Sequence, residues 1–412
     1  MIRESNKGRL DQLIPIRFGR MVQSPFTFYR GSAGLMAADL ATTPVSGLRV
    51  QACGDAHLMN FGGFATPERN IVFDINDLDE TLPAPWEWDL KRLAASMVIA
   101  GRDIGLSETN SAKAAAATVR SYREHMANYS GMRTLEVWYE TVTAEDVLAA
   151  QQGEQRERVR QRIEKAEQRS LPEMVFPKLA ELHGTMPRIK DDPPLIYHPS
   201  PEDFPGLKTN SAEQLAQYRA SLPDHVRVLL DRYRLVDVAI KVVGIGSVGT
   251  ICSVCLFVTG DGEPLFLQVK EARPSVLEPY AGKSLYANNG QRVVEGQRLM
   301  QSASDIFLGW FRTARGGDAY MRQLRDAKIS AVVEDMDADR LREYGKLCAW
   351  ALAKAHARSG DAACISGYMG SSDVFDAAVT EFAVEYADQA ERDYRVFVKA
   401  VREGKLQAVM DV

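Results

Sequence analysis

The sequence predicts an α+β chain in two lobes, one mainly helical and one built on an antiparallel sheet. Two observations carry that expectation. Short apolar and β-branched runs separated by turn residues occur at 47–80 and return near Leu235, and stretches with apolar residues at helical spacing follow each of them. At 412 residues the chain can bury a sizeable core, enough for a bilobal unit or a few domains. Its formal charge of −5 leaves no basic excess to displace counterions from nucleic acid. Charges are scattered through the first twenty residues, and no run approaches the roughly eighteen apolar residues of a spanning helix, so a cytoplasmic chain without membrane association is expected. Five cysteines do not read as a disulfide framework, and the Cys252/Cys255 pair lies in TICSVCLFV, where strand geometry sends the two thiols to opposite faces.

Taken in order, GLRVQACGD, NFGGFATPERN and IVFDIND predict a strand, a loop and a second strand, with Thr66–Asn70 as the turn. WEWDLKRLAASMVIAGRDIG follows Pro83 and Pro85 and has the spacing of a buried helix. Further helices are expected over Glu108–Asn128 and Glu154–Arg169, the latter so mixed in charge that it reads as a solvated face. Residues 185–210, rich in Pro, Asp and Ser, predict an extended connection or lid. VDVAIKVVGIGSVGT, ICSVCLFV, TGDGEP and LFLQVKEA predict three strands joined by a glycine loop and a tight hairpin, with helices returning after Ser284. The expected partition is 1–103 and 331–412 in the helical lobe, 104–235 as a helical insertion or cap, and 236–330 as the β-rich lobe.

Residues 53–60 read Cys-Gly-Asp-Ala-His-Leu-Met-Asn, and Phe-Asp-Ile-Asn-Asp follows at 73–77. Asp55 as proton acceptor, with Asn60 and Asp74 as oxygen ligands for a hard cation, is the protein's usual share of phosphoryl-transfer chemistry. Singly, Asp55 or Asn60 reads as a turn or cap residue and His57 as a structural histidine; jointly they do not. Asp77 and Asp79 compete with Asp74, which is preferred because it ends the apolar strand and a fixed backbone can hold its carboxylate. Gly244, Gly246 and Gly249, with Ser247 among them, form a GxGxxG followed by a β-branched run. A dinucleotide fingerprint opens a helix instead, so a phosphate-covering loop between antiparallel strands fits better. Lys270 ends the next strand as its only cation; pairing with nucleotide phosphates and a carboxylate on the following helix, where Glu295 is available, offsets its burial. Glu271 and Glu278 are weaker partners, and a snorkelling edge-strand lysine is the plainer alternative.

GDxHxxN, an apolar strand ending in aspartate, and Asp89-Leu90 opening a buried helix together resemble the catalytic and metal-binding segments of aminoglycoside phosphotransferases and related kinases. The chain departs from them at Cys53, where the relatives commonly carry histidine. The resemblance implies that Asp55 takes the acceptor hydroxyl's proton, His57 supports the loop, Asn60 and Asp74 bind Mg²⁺, and Asp89 holds the loop backbone. ATP would lie between this segment and the glycine loop, with a small-molecule acceptor. Because the catalytic loop precedes the glycine loop, the implied architecture is a circularly permuted protein-kinase-like bilobal fold. LREYGKLCAWALAKAHARSGD, 341–361, resembles the helix that normally runs into the catalytic loop, and 319–326 would be the hinge. FYRGSAGLMAADL, GDAHLMNFGGF, FDINDLDET, GIGSVGT, LFLQVKEARPSVLE and VVEGQRLMQ resemble, over nearly the whole chain, the bacterial family called domain of unknown function 2252. Arg30, in the first of these, reads either as a phosphate contact or as a structural ion pair. A non-catalytic, pseudokinase-like nucleotide-binding regulator and nucleotidyl transfer are the competing expectations.

Overall fold

Six antiparallel strands form the sheet of one lobe, in the order Gly309–Arg312, Asp318–Gln323, Pro264–Ala272, Cys252–Val258, Arg234–Lys241 and Ile196–Tyr197. The computed structural model describes all residues except 152, 170–175, 177, 185, 201–210, 325, 326, 411 and 412. Cys252–Val258 is buried along its whole length because both faces of the sheet are covered. Cys255, Phe257, Leu265 and Leu267 pack with Tyr218, Leu222 and Val226, whereas Val254, Leu256, Val258 and Phe266 pack with Ala180 and Ile189. This period-two division puts Cys252 and Cys255 on opposite faces as expected, and both thiols are buried and free.

The helical lobe is built on Trp86–Asp103, Glu108–Ser130, Ala338–Ser359 and Val374–Arg402, whose apolar residues share one large core. Trp86–Asp103 is buried on nearly every side, with Glu87, Asp89 and Arg92 enclosed among its apolar residues, and Trp86 stacks on Tyr122 at 5.7 Å. Caps set the entries: Ser107 accepts from Asn110 N, and Asp337 from Arg340 N. No helix among the described residues is long and apolar enough to cross a membrane.

The segment 47–85 holds four strands rather than two. Arg49–Ala52 pairs with Leu82–Pro85, and inside that ribbon Phe61–Ala65 pairs with Ile71–Ile75 around the Thr66–Asn70 turn. Nesting one hairpin inside the other brings the connections 53–60 and 76–81 together, which positions the site.

The fold class is α+β, but the chain partitions differently from expectation. Residues 104–235 do not form one cap: Glu108–Ser130 lies in the core of the helical lobe, while Ser211–Ala220 and Asp224–Leu230 accompany the sheet. Within the expected 185–210 connection, Met186–Ile189 and Ile196–Tyr197 are paired strands; 185 and 201–210 lie outside the described residues. The strand expected as a hinge over 319–326 is present as Asp318–Gln323, paired on both sides inside the sheet, and 325 and 326 of that segment lie outside the described residues. The helices Ile14–Met21, Pro25–Arg30 and Ala33–Leu40 bridge the lobes: Leu13 and Ile16 pack with Val242 and Val248 beside the glycine loop, and Phe18 and Phe28 with Ile245 and Phe397.

Candidate active site

The turn at 53–55 is held from below. Gly54 has φ +82°, and a Cβ there would meet the Glu80 carbonyl oxygen at 2.4 Å, so this turn requires glycine. Asp89, in the first turn of Trp86–Asp103, accepts from Cys53 N at 2.5 Å and from Gly54 N at 2.9 Å. His356 Nε2 lies 3.1 Å from the same carboxylate, and Tyr122 Oη lies 2.7 Å from His356 Nδ1. A histidine donating through Nε2 and accepting the tyrosine O–H satisfies every group in this buried chain. The loop is thus anchored without a histidine at position 53.

One helical turn beyond Asp89, Arg92 donates from Nε to Asp55 Oδ1 at 2.6 Å, with Nη2 in ion-pair contact 2.5 Å from the same oxygen. Arg92 is itself held by Tyr29, whose carbonyl accepts from Nη2 at 3.1 Å and whose ring lies 4.4 Å below the guanidinium. The remaining oxygen, Asp55 Oδ2, is 3.9 Å from His57 Nε2 and is the one left for a ligand. Burial pushes the Asp55 carboxyl above its usual range and Arg92 opposes the rise. Burial, then Arg30 and Arg92, hold His57 well below its ordinary value, so it is neutral; its Nδ1 accepts from Met59 N at 3.2 Å. Asn60 donates its amide to the Asp55 carbonyl at 2.7 Å, leaving Oδ1 as an available oxygen donor.

Lys270 is buried, in register with Tyr320 on the neighbouring strand, and reaches the 76–81 connection. It forms an ion pair with Asp79 and lies 3.4 Å from both Asp77 carboxylate oxygens, while Tyr320 Oη donates to Asp79 Oδ1 at 2.6 Å. Burial opposes the lysine's charge, but the two aspartates outweigh it and raise its pKa well above the usual. Asp77 is pushed up by burial yet held below the carboxylate range by Lys270 and Arg322. Arg292 fastens this connection to the sheet, donating to the carbonyls of Thr81 at 2.6 Å, Asp79 at 2.9 Å and Arg273 at 2.7 Å.

Two expected assignments are corrected. Glu295 is not the partner of Lys270: it pairs with Arg298 at 3.0 Å on its own helix, and Asp77 and Asp79 take its place. Asp74 is 0 % exposed and accepts from Ile75 N at 2.9 Å and from Ser302 N and Oγ at 2.8 Å each, besides an ion pair with Lys354. Its oxygens are spent inside the core. Asp77, the weighed alternative, has 35 % of its side chain exposed and lines the cleft.

Asp55, His57, Asn60 and Asp77 line one cleft of about 410 Å³ with Gly244, Gly246 and Ser247. Gly249 sits beside it at φ +90°, its carbonyl accepting from Leu10 N at 2.8 Å; Arg9 and Arg20 donate to the carbonyls of Val248 and Gly244, each at 2.6 Å. Among the described residues no group of three or more His, Cys, Asp or Glu could hold a metal. Mg²⁺ needs no such cage, since it keeps several waters and takes one or two protein oxygens plus substrate phosphates. Asp77 and Asn60 Oδ1 are a donor set of that kind, and the glycine loop offers backbone to phosphates, so the residues fit Mg·ATP.

Comparison with known families adds one finding. The family model described as "Uncharacterized protein conserved in bacteria (DUF2252)" matches residues 9–400. The chain belongs to the DUF2252 family. No curated protein and no solved structure matches it. In this DUF2252 chain the residues missed from sequence are those acting through others: Arg92, Tyr29, His356 and Arg292. Arg92 carried a readable signal, a cation on the same face as Asp89 one turn on, ahead of the apolar run of DLKRLAAS. His356 and Arg292 carried none, because their partners are remote in the chain.

Proposed function

We propose that this protein is an ATP-dependent phosphotransferase on a permuted kinase-like fold, acting on a hydroxyl of a small molecule. The observation that carries the reading is the shared cleft: an acid/base candidate, two oxygen ligands and a glycine loop converge from segments far apart in sequence. The chain order within the sheet lobe supports it, since a glycine hairpin, a lysine strand and then a helix are the recurring parts of kinase-type phosphate binding. Permutation draws support from Ala338–Ser359, whose end abuts the strand feeding the catalytic loop: Gln51 N donates to Ser359 Oγ at 3.1 Å. The segment around Val409 also packs on the first helix, with Val409 N donating to the Pro15 carbonyl at 2.9 Å.

In this reading the acceptor hydroxyl oxygen bonds to the γ-phosphorus as the bond to the bridging oxygen breaks and ADP departs with the electron pair. Asp55 Oδ2 receives the hydroxyl proton. Arg92 keeps the carboxylate aimed, and Lys270, released in part from Asp77, pairs with the phosphates. Magnesium, when bound, supplies neutralisation of phosphate charge. Titration calorimetry with Mg·ATP tests the ligand assignment: Asp77→Asn should weaken binding by about tenfold or more, as losses around a metal commonly do, whereas Asp74→Asn should leave Mg²⁺ dependence intact. Unchanged Mg²⁺ dependence in Asp77→Asn contradicts the assignment. Release of pyrophosphate in place of ADP would mark nucleotidyl transfer.

A further inference from the structure

Five guanidiniums, Arg9, Arg17, Arg30, Arg273 and Arg322, line the cleft, and among the described residues none is in an ion pair with a carboxylate. All but Arg30 are held by neutral groups: Arg9 by the carbonyls of Ser5 and Val248, Arg17 by Asn6 Oδ1 and the Gly31 carbonyl, Arg273 by the Lys7 carbonyl, and Arg322 by Gln268 Oε1 and the Asn76 carbonyl. Arg17 is 2 % exposed, and its Nε has no hydrogen-bond partner. Nearby carboxylates are committed elsewhere, Glu80 to Val276 N at 2.7 Å and Glu271 to Ile251 N at 2.9 Å. Arg30 stands apart from the other four in having no side-chain hydrogen bond among the described residues; its Nε is buried without a partner, and its guanidinium lies 5.9 Å from the Phe26 ring. Its charge acts on Asp55, His57 and Glu334, and a Cβ on Gly246 would sit 3.6 Å from its carbonyl oxygen. Arg30 therefore lies where the proton acceptor meets the glycine loop.

A guanidinium nitrogen buried without a hydrogen bond is costly, and guanidinium matches phosphate geometry bidentately. Arg9 packs against Gly249, with Arg17 and Arg273 close enough to act on one another, where the nucleotide's own phosphates would run; Arg30 reaches from the glycine loop to Asp55. We infer that the acceptor itself carries a phosphate group, read by Arg30. The inference rests on the phosphotransferase reading, in that it assigns the substrate class of the same site.

Calorimetry of the full chain with inorganic phosphate as probe, alone and with saturating Mg²⁺ and a non-hydrolysable ATP analogue, decides it. Phosphate should bind the nucleotide-loaded protein, and Arg30→Gln should weaken it by about tenfold or more, the worth of a charge-assisted hydrogen bond. Arg30→Lys, which keeps the charge but not the fork, should recover part of that loss, and an unchanged thermal unfolding midpoint shows that the variants fold. Displacement of phosphate by the nucleotide, or equal weakening of both ligands in Arg30→Gln, overturns the inference by assigning Arg30 to the nucleotide. Phosphate affinity untouched in Arg30→Gln, including an adventitious ion only, overturns it too. If phosphate binds through Arg30 but no Mg·nucleotide binds, it is the transferase reading that fails, and the acceptor assignment with it.

Discussion

Arg92 governs what Asp55 can do. Burial raises the Asp55 carboxyl and Arg92 lowers it, so the pair sets the pH at which the carboxylate is free to accept a proton. Replacing Arg92 with Met should move the acidic limb of the kcat/KM profile to higher pH, with Arg92→Lys restoring part of the shift; a limb that does not move contradicts this positioning role. His57 makes a separate prediction about stability. Its folded pKa lies well below the ordinary 6.5, so as pH falls below 6.5 the unfolded chain takes up a proton that the folded chain refuses, and stability declines. Urea unfolding at neutral and mildly acidic pH should show a smaller decline for His57→Gln than for the parent chain. At this scale the sequence was readable where chemistry is local. The run GDAHLMN announced Asp55 and Asn60, but Asp74 could not be separated from Asp77, because Lys354, the residue that claims Asp74, stands 280 positions away.

The nested hairpins of 47–85 are the element on which the site depends. Turn residues and apolar runs made Arg49–Ala52 and Ile71–Ile75 legible, whereas Phe61–Ala65 read as a loop because Gly62 and Gly63 interrupt it, and Leu82–Pro85 was hidden because two prolines argue against a strand and only the partner Arg49–Ala52 makes it one. Gly54 closes this element at positive φ against Glu80. Gly54→Ala should cost about 1–3 kcal/mol in backbone strain, measured by urea unfolding, and lower turnover with it; a neutral substitution contradicts the account of the turn. Asp74 and Lys354 join the inner hairpin to Ala338–Ser359. Lys354→Met should destabilise the protein by about 3–5 kcal/mol, the usual cost of stranding a buried charge, without a change in Mg²⁺ dependence of the activity that remains. A shift in Mg²⁺ dependence would instead return Asp74 to the metal site.

Across the whole molecule, two lobes far apart in chain order meet at one cleft through the N-terminal helices. The glycine hairpin and Lys270 were legible because glycine spacing and a lone lysine in an apolar strand are local signals. That 104–235 divides between the lobes was not, since helical periodicity reports which face is buried and not what buries it. Kinase-like chain order could be restored by joining the two ends, whose segments pack together at Pro15 and Val409, and opening the chain just before Arg234. Such a permutant should fold cooperatively and bind Mg·ATP. The most direct test of phosphoryl transfer is Mg²⁺-dependent ATP turnover, with nucleotide affinity measured alongside, in the parent chain and Asp55→Ala. Loss of about 10²-fold or more in turnover with affinity largely retained is the predicted result; equal turnover in the two proteins would contradict the central claim.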